Sequence, residues 1–222
     1  FIWGGTDGGG LYKINPVTGI IDLFYKQDGN EFSLGSNTIL HINEDNHKNL
    51  WICTNYGKLS ILPNVDNNIH YHEGSANHIP QKILSIYKSS KNILWIGTDG
   101  SGLTKVDINS TGITKETTYF NDSEVGRGHY IQSITEDLNG NIWIATYLNG
   151  LWFHDTQKNT LKKIEVTNIR NQKATDVRTL FRDSKGRIWV CSNISINVYS
   201  AEQELLASFE NNHHGLNGLI AE

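Results

Sequence analysis

Several things are missing from this chain of 222 residues. It has no methionine, so it is expected to be a piece of a longer protein or a processed product. No run of about 18 apolar residues occurs, which excludes a membrane-spanning helix of ordinary length. No charged-then-apolar leader opens it either. Nineteen lysines and arginines are scattered along the chain against 23 acidic residues, for a net charge of −4. Without a basic stripe there is no electrostatic footprint for nucleic acid. Proline is scarce, at three residues, and cysteine scarcer, at two. Two thiols cannot make the disulfide lattice of a small secreted scaffold. The sequence carries no HExxH, paired CxxC, P-loop, Gly-x-Ser-x-Gly or calcium-loop pattern. No cofactor or metal is therefore expected.

What the chain does have is a cadence. Trp3, Trp51, Trp95, Trp143 and Trp189 follow one another at 48, 44, 48 and 46 residues. Each sits in a similar word: FIWGGT, LWICT, LWIGT, IWIAT, IWVCS. A period in the forties built on β-type words marks a propeller blade, a four-stranded sheet repeated around an axis. The expected fold is all-β, a propeller of four-stranded antiparallel blades.

Each repeat supplies four strand signals, labelled A to D from the hub outward. Strand A has apolar anchors twelve and nine residues before the tryptophan: Ile39 and Ile42, Ile83 and Ile86, Ile131 and Ile134, Val177 and Leu180. A tight turn follows, with Asp45, Ser89, Asp137 and Asp183 six residues before it. Three before it stand Lys48, Asn92, Gly140 and Gly186. Asp can bond its own backbone, and Gly or Asn tolerates positive φ, which suits a hairpin. Strand B is the tryptophan word and ends in Thr or Ser. Strand C opens on Leu11, Leu59, Leu103 and Leu151, eight residues after the tryptophan. The fifth repeat has Ile196 one place earlier, so its turn is expected to be one residue shorter. Strand D is an edge, where weak alternation is normal.

The boundaries are 1–35 for strands B to D of a first blade, then 36–80, 81–128, 129–174 and 175–215 for whole blades. Residues 216–222 begin another. The two incomplete ends are expected to be broken edges of a larger wheel, rather than halves of one blade closing a ring of five. Cys53 and Cys191 fall two residues after their tryptophans, where Gly5, Gly97 and Ala145 also fall. That column wants a small side chain because the next blade packs there. The cysteines are three repeats apart, too far across a wheel to bond.

The words SIYKSSKNILWIGTDGSGLTKVD, from Ser85, and SITEDLNGNIWIATYLNGLWFHD, from Ser133, carry a family resemblance. The chain resembles the two-component regulator propeller repeat over nearly its whole length. That resemblance implies a fragment of a seven-bladed wheel in the periplasmic region of a hybrid sensor histidine kinase from gut Bacteroidetes. It also implies an oligosaccharide ligand, control of polysaccharide use, and further domains of the same sensor as partners in a homodimer. The fragment itself would be non-catalytic.

Most eye-catching residues have an architectural reading. The pairs Glu44-Asp45 and Glu136-Asp137 could do acid–base work on a sugar, but they recur at one turn position in separate blades. The five tryptophans could stack on sugars, yet their fixed place in strand B favours packing between blades. Trp152 breaks the beat, and strand alternation favours core for it too. His70 and His72 share a face of an exposed D strand, where solvated histidines are expected.

Recognition is expected where repeats disagree, on the B–C and D–A loops at one end of the wheel. The B–C loops offer Asn55, Tyr56, Tyr147, Asn149 and Asn193. The D–A loops offer His78, Arg127, His129, Tyr130, Arg170, His213 and His214. Tyrosine gives stacking surface, asparagine amide bonds, arginine a fork for carboxylate or sulfate. The cluster Arg127-Gly-His129-Tyr130 is the leading contact for an acidic or neutral sugar. Two other readings stay open. One is a lyase-type propeller enzyme, with His129 and Glu124 as its acid–base pair; the other is a protein-interaction scaffold.

Overall fold

The computed structural model describes residues 1–45, 48–55, 59–65, 68–71, 83–91, 93–109, 112–119 and 130–210. Among them there are nineteen strands and no helix. The first sheet has three strands, β1 (Ile2–Gly5), β2 (Leu11–Ile14) and β3 (Ile21–Phe24). Four four-stranded sheets follow. The second is β4 (Ile39–Glu44), β5 (Leu50–Thr54), β6 (Ser60–Leu62) and β7 (His70–Tyr71). The third is β8 (Ile83–Lys88), β9 (Ile93–Thr98), β10 (Leu103–Asn109) and β11 (Gly112–Tyr119). The fourth is β12 (Tyr130–Glu136), β13 (Ile142–Tyr147), β14 (Gly150–Asp155) and β15 (Thr160–Ile164). The fifth is β16 (Val177–Arg182), β17 (Ile188–Ser192), β18 (Ile196–Tyr199) and β19 (Leu205–Phe209). All pair as antiparallel meanders, and β4, β8, β12 and β16 lie side by side along the hub. This is an arc of a β-propeller.

Strand A explains its own odd spacing. Anchors three residues apart would face opposite sides of a regular strand. Each complete sheet solves this with a bulge between them, at Ile39/His41, Ile83/Ser85, Ile131/Ser133 and Val177/Thr179. The extra residue brings both anchors to one face, which packs on the preceding blade.

The other face carries the tryptophan and packs on the following blade, giving four interfacial cores. Trp3 and Leu11 meet Leu50 and Ile52; Trp51 and Cys53 meet Ile83, Ile86 and Ile96. Trp95 and Leu103 meet Ile131, Ile134 and Ile144; Trp143 and Ala145 meet Val177, Leu180 and Val190. Burying one such indole removes roughly 200 Å² from water. That is an upper bound of about 5 kcal/mol per tryptophan. Trp189 has no following blade among the described residues. It is half-buried, stacked on Phe209 at 6.1 Å and 1°.

The turn carboxylates do more than shape a hairpin. Asp45, Asp137 and Asp183 each accept two or more backbone or side-chain bonds from their own turn. Each also accepts the indole N–H of its own tryptophan, at 3.1, 3.1 and 2.9 Å. At Asp183 burial pushes the carboxyl pKa up, but bonds from Trp189 and Arg187 outweigh it and hold the group at about 2. Of the paired glutamates, Glu44 meets the exposed Lys48 Nζ at 2.7 Å. Glu136 takes the N–H and hydroxyl of Ser90, one blade back, both at 2.9 Å. Lys48, Gly140 and Gly186 all have positive φ, as the hairpin requires.

The residue ten before the tryptophan stitches neighbouring hub strands together. Ser85 donates to the Ile131 carbonyl at 2.9 Å, and Ser133 accepts the Leu180 N–H at 3.1 Å. His41 holds the same column, with a backbone hydrogen bond to Ile86. Burial drives its pKa from 6.5 down to about 4, the Ile86 bond pulling weakly the other way. The folded protein therefore disfavours protonated His41, while the unfolded chain takes the proton near pH 6.5. Stability is intact above pH 6.5 and falls as the pH drops through 4, by about 2–3 kcal/mol from this group. Urea midpoints measured from pH 7 to 4 should show that loss, and His41→Ser should flatten it.

Candidate functional site: a rosette at the hub mouth

Two columns of residues meet where strand B ends and strand A begins. One lies four residues after each tryptophan: Asp7, Asn55, Asp99, Tyr147 and Asn193. The other lies thirteen before it and includes Thr38, Tyr130 and Asp176. Among the described residues, hydrogen bonds and ring contacts join them in two groups, one from Asp7 to Asn55 and one from Asp99 to Asn193. Thr38 Oγ1 donates to Asp7 at 3.1 Å, and Asn55 N donates to the Thr38 carbonyl. Asp99 bridges Tyr130, whose ring meets that of Tyr147 edge-on at 6.0 Å. Arg178 lays its guanidinium over Tyr147 at 4.6 Å and donates through Nε and Nη2 to Asp176 Oδ2, both at 3.0 Å. Asn193 N donates to the Asp176 carbonyl at 3.0 Å.

Hydrogen bonds at the strand ends shape the turns that carry these residues. Thr6, Thr98, Thr146 and Ser192 each close the B–C turn, donating their hydroxyls to Gly10, Gly102, Gly150 and Ser195 carbonyls at 2.7–2.9 Å. The fifth turn is one residue shorter, as the sequence implies, and β18 starts at Ile196. Arg178 is the bulged residue of β16, opposite no partner of its own. A bulge next to a site is a device for re-aiming a side chain. Asp176 Oδ1 is buried and has no protein partner. The cluster thus offers two phenol rings, a stacked guanidinium and a carboxylate with unused lone pairs. Such groups bind polyhydroxylated ligands by stacking and bidentate hydrogen bonds.

The candidate residues are not all gathered here. Asn55, Tyr130, Tyr147 and Asn193 belong to the rosette. Arg170 instead pairs with Glu210 beyond β19, at 3.6 Å. Asn149 sits farther out, accepting Lys163 Nζ at 2.9 Å and the Trp152 indole at 3.1 Å. Trp152 is half-buried against the third blade. Tyr56, His78, Arg127, His129, His213 and His214 lie outside the described residues, as do His72 and Glu124. Asp7, Thr38, Asp99, Asp176 and Arg178 are the members that sequence reasoning missed. Burial raises both thiols, Cys53 strongly and Cys191 to about 11, so neither is a ready nucleophile. Among the described residues no cluster of three His, Cys, Asp or Glu could hold a metal ion. The described residues include no helix, so none that is long and apolar enough to cross a membrane.

Comparison with known proteins agrees with the repeat reading. Residues 33–56 and 171–193 match the family described as two component regulator propeller, so the chain carries repeats of that kind. The extracellular domain of the candidate hybrid two component system BT3049 from B. thetaiotaomicron superposes with a TM-score of 0.74 at 20% identity. It covers 97% of this chain and 28% of its own. The extracellular domain of BT4673 from the same species gives 0.76 at 22%, covering 99% and 30%. PorZ, a surface component of the type-IX secretion system of Porphyromonas gingivalis, gives 0.69 at 16%, covering 93% and 32%. At such identities the likeness establishes the propeller fold. The chain spans about three tenths of the length of these structures. No curated protein is significantly similar to it in sequence.

Proposed function

We propose that the chain is a ligand-sensing segment of an extracytoplasmic sensor propeller in a two-component system. It is non-catalytic, and its ligand is an oligosaccharide seated on the hub mouth. The observation that carries the reading is the Tyr130–Tyr147–Arg178–Asp176 cluster, with its spare carboxylate oxygen. The parent would be a periplasmic sensor, a homodimer with a histidine kinase inside the membrane. Ligand would act by binding one arrangement of its domains more tightly than another. Further blades of the same repeat, in a seven-bladed wheel, would cover Ile2, Ile21 and Leu23 at one end and Trp189 and Phe209 at the other.

Calorimetry of the whole sensor ectodomain against neutral and acidic oligosaccharides tests this. Saturable binding in the micromolar to millimolar range is expected, without turnover. Arg178→Ala and Tyr147→Ala should each weaken it by about tenfold, as loss of a stacking or charged contact does. Binding untouched by both variants would remove the rosette from the reading, and product formation would replace sensing by catalysis.

A further inference from the structure

Two departures from the repeat meet at one spot. Six residues before the tryptophan, Ser89 stands where the other complete blades have Asp45, Asp137 and Asp183. Eleven residues after it, His154 stands where Ile14, Leu62 and Val106 stand. Ser89 keeps the turn, donating its N–H to the Ile93 carbonyl at 2.8 Å and accepting the Lys91 N–H at 3.3 Å. Its short side chain does not serve the indole, and Trp95 Nε1 is buried without a partner.

His154 reaches the same indole from the next blade. Its ring lies at 5.4 Å from Trp95 and 5.1 Å from Tyr119. Nε2 is 3.2 Å from Asn159 Oδ1, which also accepts the Tyr119 hydroxyl at 3.2 Å. An amide oxygen only accepts, so Nε2 carries the proton and Nδ1 is a bare acceptor. Nδ1 is buried and likewise has no partner. One aromatic trio therefore holds an orphan donor and an orphan acceptor. Leaving each unserved costs about 1–3 kcal/mol.

We infer that the Trp95 indole N–H is served by His154 Nδ1, directly or across one bound water, so that the clasp other blades make internally here joins the third blade to the fourth. A water between the two rings would have the indole N–H as a donor and Nδ1 as an acceptor, two of the polar partners that a buried water needs. The pairing makes this interface sensitive to acid. A proton on Nδ1 turns the acceptor into a donor facing another donor. A carboxylate clasp undergoes no such inversion in the range where imidazole titrates. The groups facing the imidazole are Lys105 on β10, Asp155 on its own strand, and Tyr119 on β11; Lys105 is itself 3.4 Å from Asp107. Burial lowers the His154 pKa most; the Asn159 bond and Asp155 raise it, and Lys105 lowers it, for a net fall.

Indole ¹H–¹⁵N spectra of the whole chain test the pairing, with Trp95 assigned through Trp95→Phe. Its resonance should move as His154 titrates below pH 6.5, and stay still in His154→Leu and in Ser89→Asp. Both substitutions install residue types that sister blades hold in those columns, and the remaining indole peaks report that the fold is kept. Urea unfolding of the two single variants and the double should be coupled by about fivefold or more in the unfolding constant. A Trp95 resonance that ignores His154 ionisation, or additive unfolding constants, overturns the pairing.

Discussion

Asp137→Ala should cost about 3–4 kcal/mol of stability, the range for stranding a buried hydrogen-bond network. The carboxylate is 1% exposed. Oδ1 accepts the N–H groups of Asn139 and Asn141, both at 2.9 Å. Oδ2 accepts the Trp143 indole at 3.1 Å and Asn141 Nδ2 at 3.3 Å. Alanine leaves the turn donors to find water and leaves the Trp143 N–H with nothing, since that side chain is fully buried. Urea denaturation gives the loss directly. A cycle with Trp143→Phe should recover about 1–2 kcal/mol as the coupling of the clasp itself. A cost below about 1 kcal/mol would mean that the turn, not the clasp, is all the aspartate provides.

Gly97→Val should be as damaging, by overpacking rather than by loss. A Cβ on Gly97 would lie 2.5 and 2.6 Å from Cγ2 and Cβ of Ile131, on the next blade, and would also strike Ser85 Oγ. Ile131 is fully buried in the third–fourth core, so it has nowhere to go. Ser85 could turn away only by giving up its bond to the Ile131 carbonyl. Overpacking of this kind costs about 1–3 kcal/mol for a few added methyl groups, with the upper end expected at a rigid interface. Ala145→Gly, in the same column, should cost only about 1 kcal/mol, because it removes a methyl rather than forcing one in. Equal thermal midpoints for Gly97→Val and the wild type would show that the blades are not in the contact described.

The architecture was legible because a propeller repeats its constraints. Five tryptophans at one offset, and a small residue two places on, report one packing problem solved again in each blade. The spacing of the strand A anchors held more than was read from it. Two core positions three residues apart on one strand imply a bulge, and the bulge locates Arg178. The clasp was half legible. Asp45, Asp137 and Asp183 suit a turn on propensity alone, but their second oxygen meets an indole six residues on, which only the closed hairpin brings into reach. Site residues were harder, because strand ends mix structural and functional demands. Tyr130 and Tyr147 stand out as aromatic at polar columns, whereas Asp7, Asp99 and Asp176 look like further turn formers. Arg170 has the chemistry of a ligand contact, and its nearest carboxylate, Glu210, takes it elsewhere.

Hydrogen exchange of the indole N–H groups, followed by NMR on the whole chain, tests the central claim most directly. If the tryptophan cadence marks sheets packed face to face, Trp51, Trp95 and Trp143 exchange only on global unfolding, while Trp152 and Trp189 exchange sooner. Fast exchange of Trp51, Trp95 and Trp143 under native conditions would place those rings in an open cleft and contradict the account.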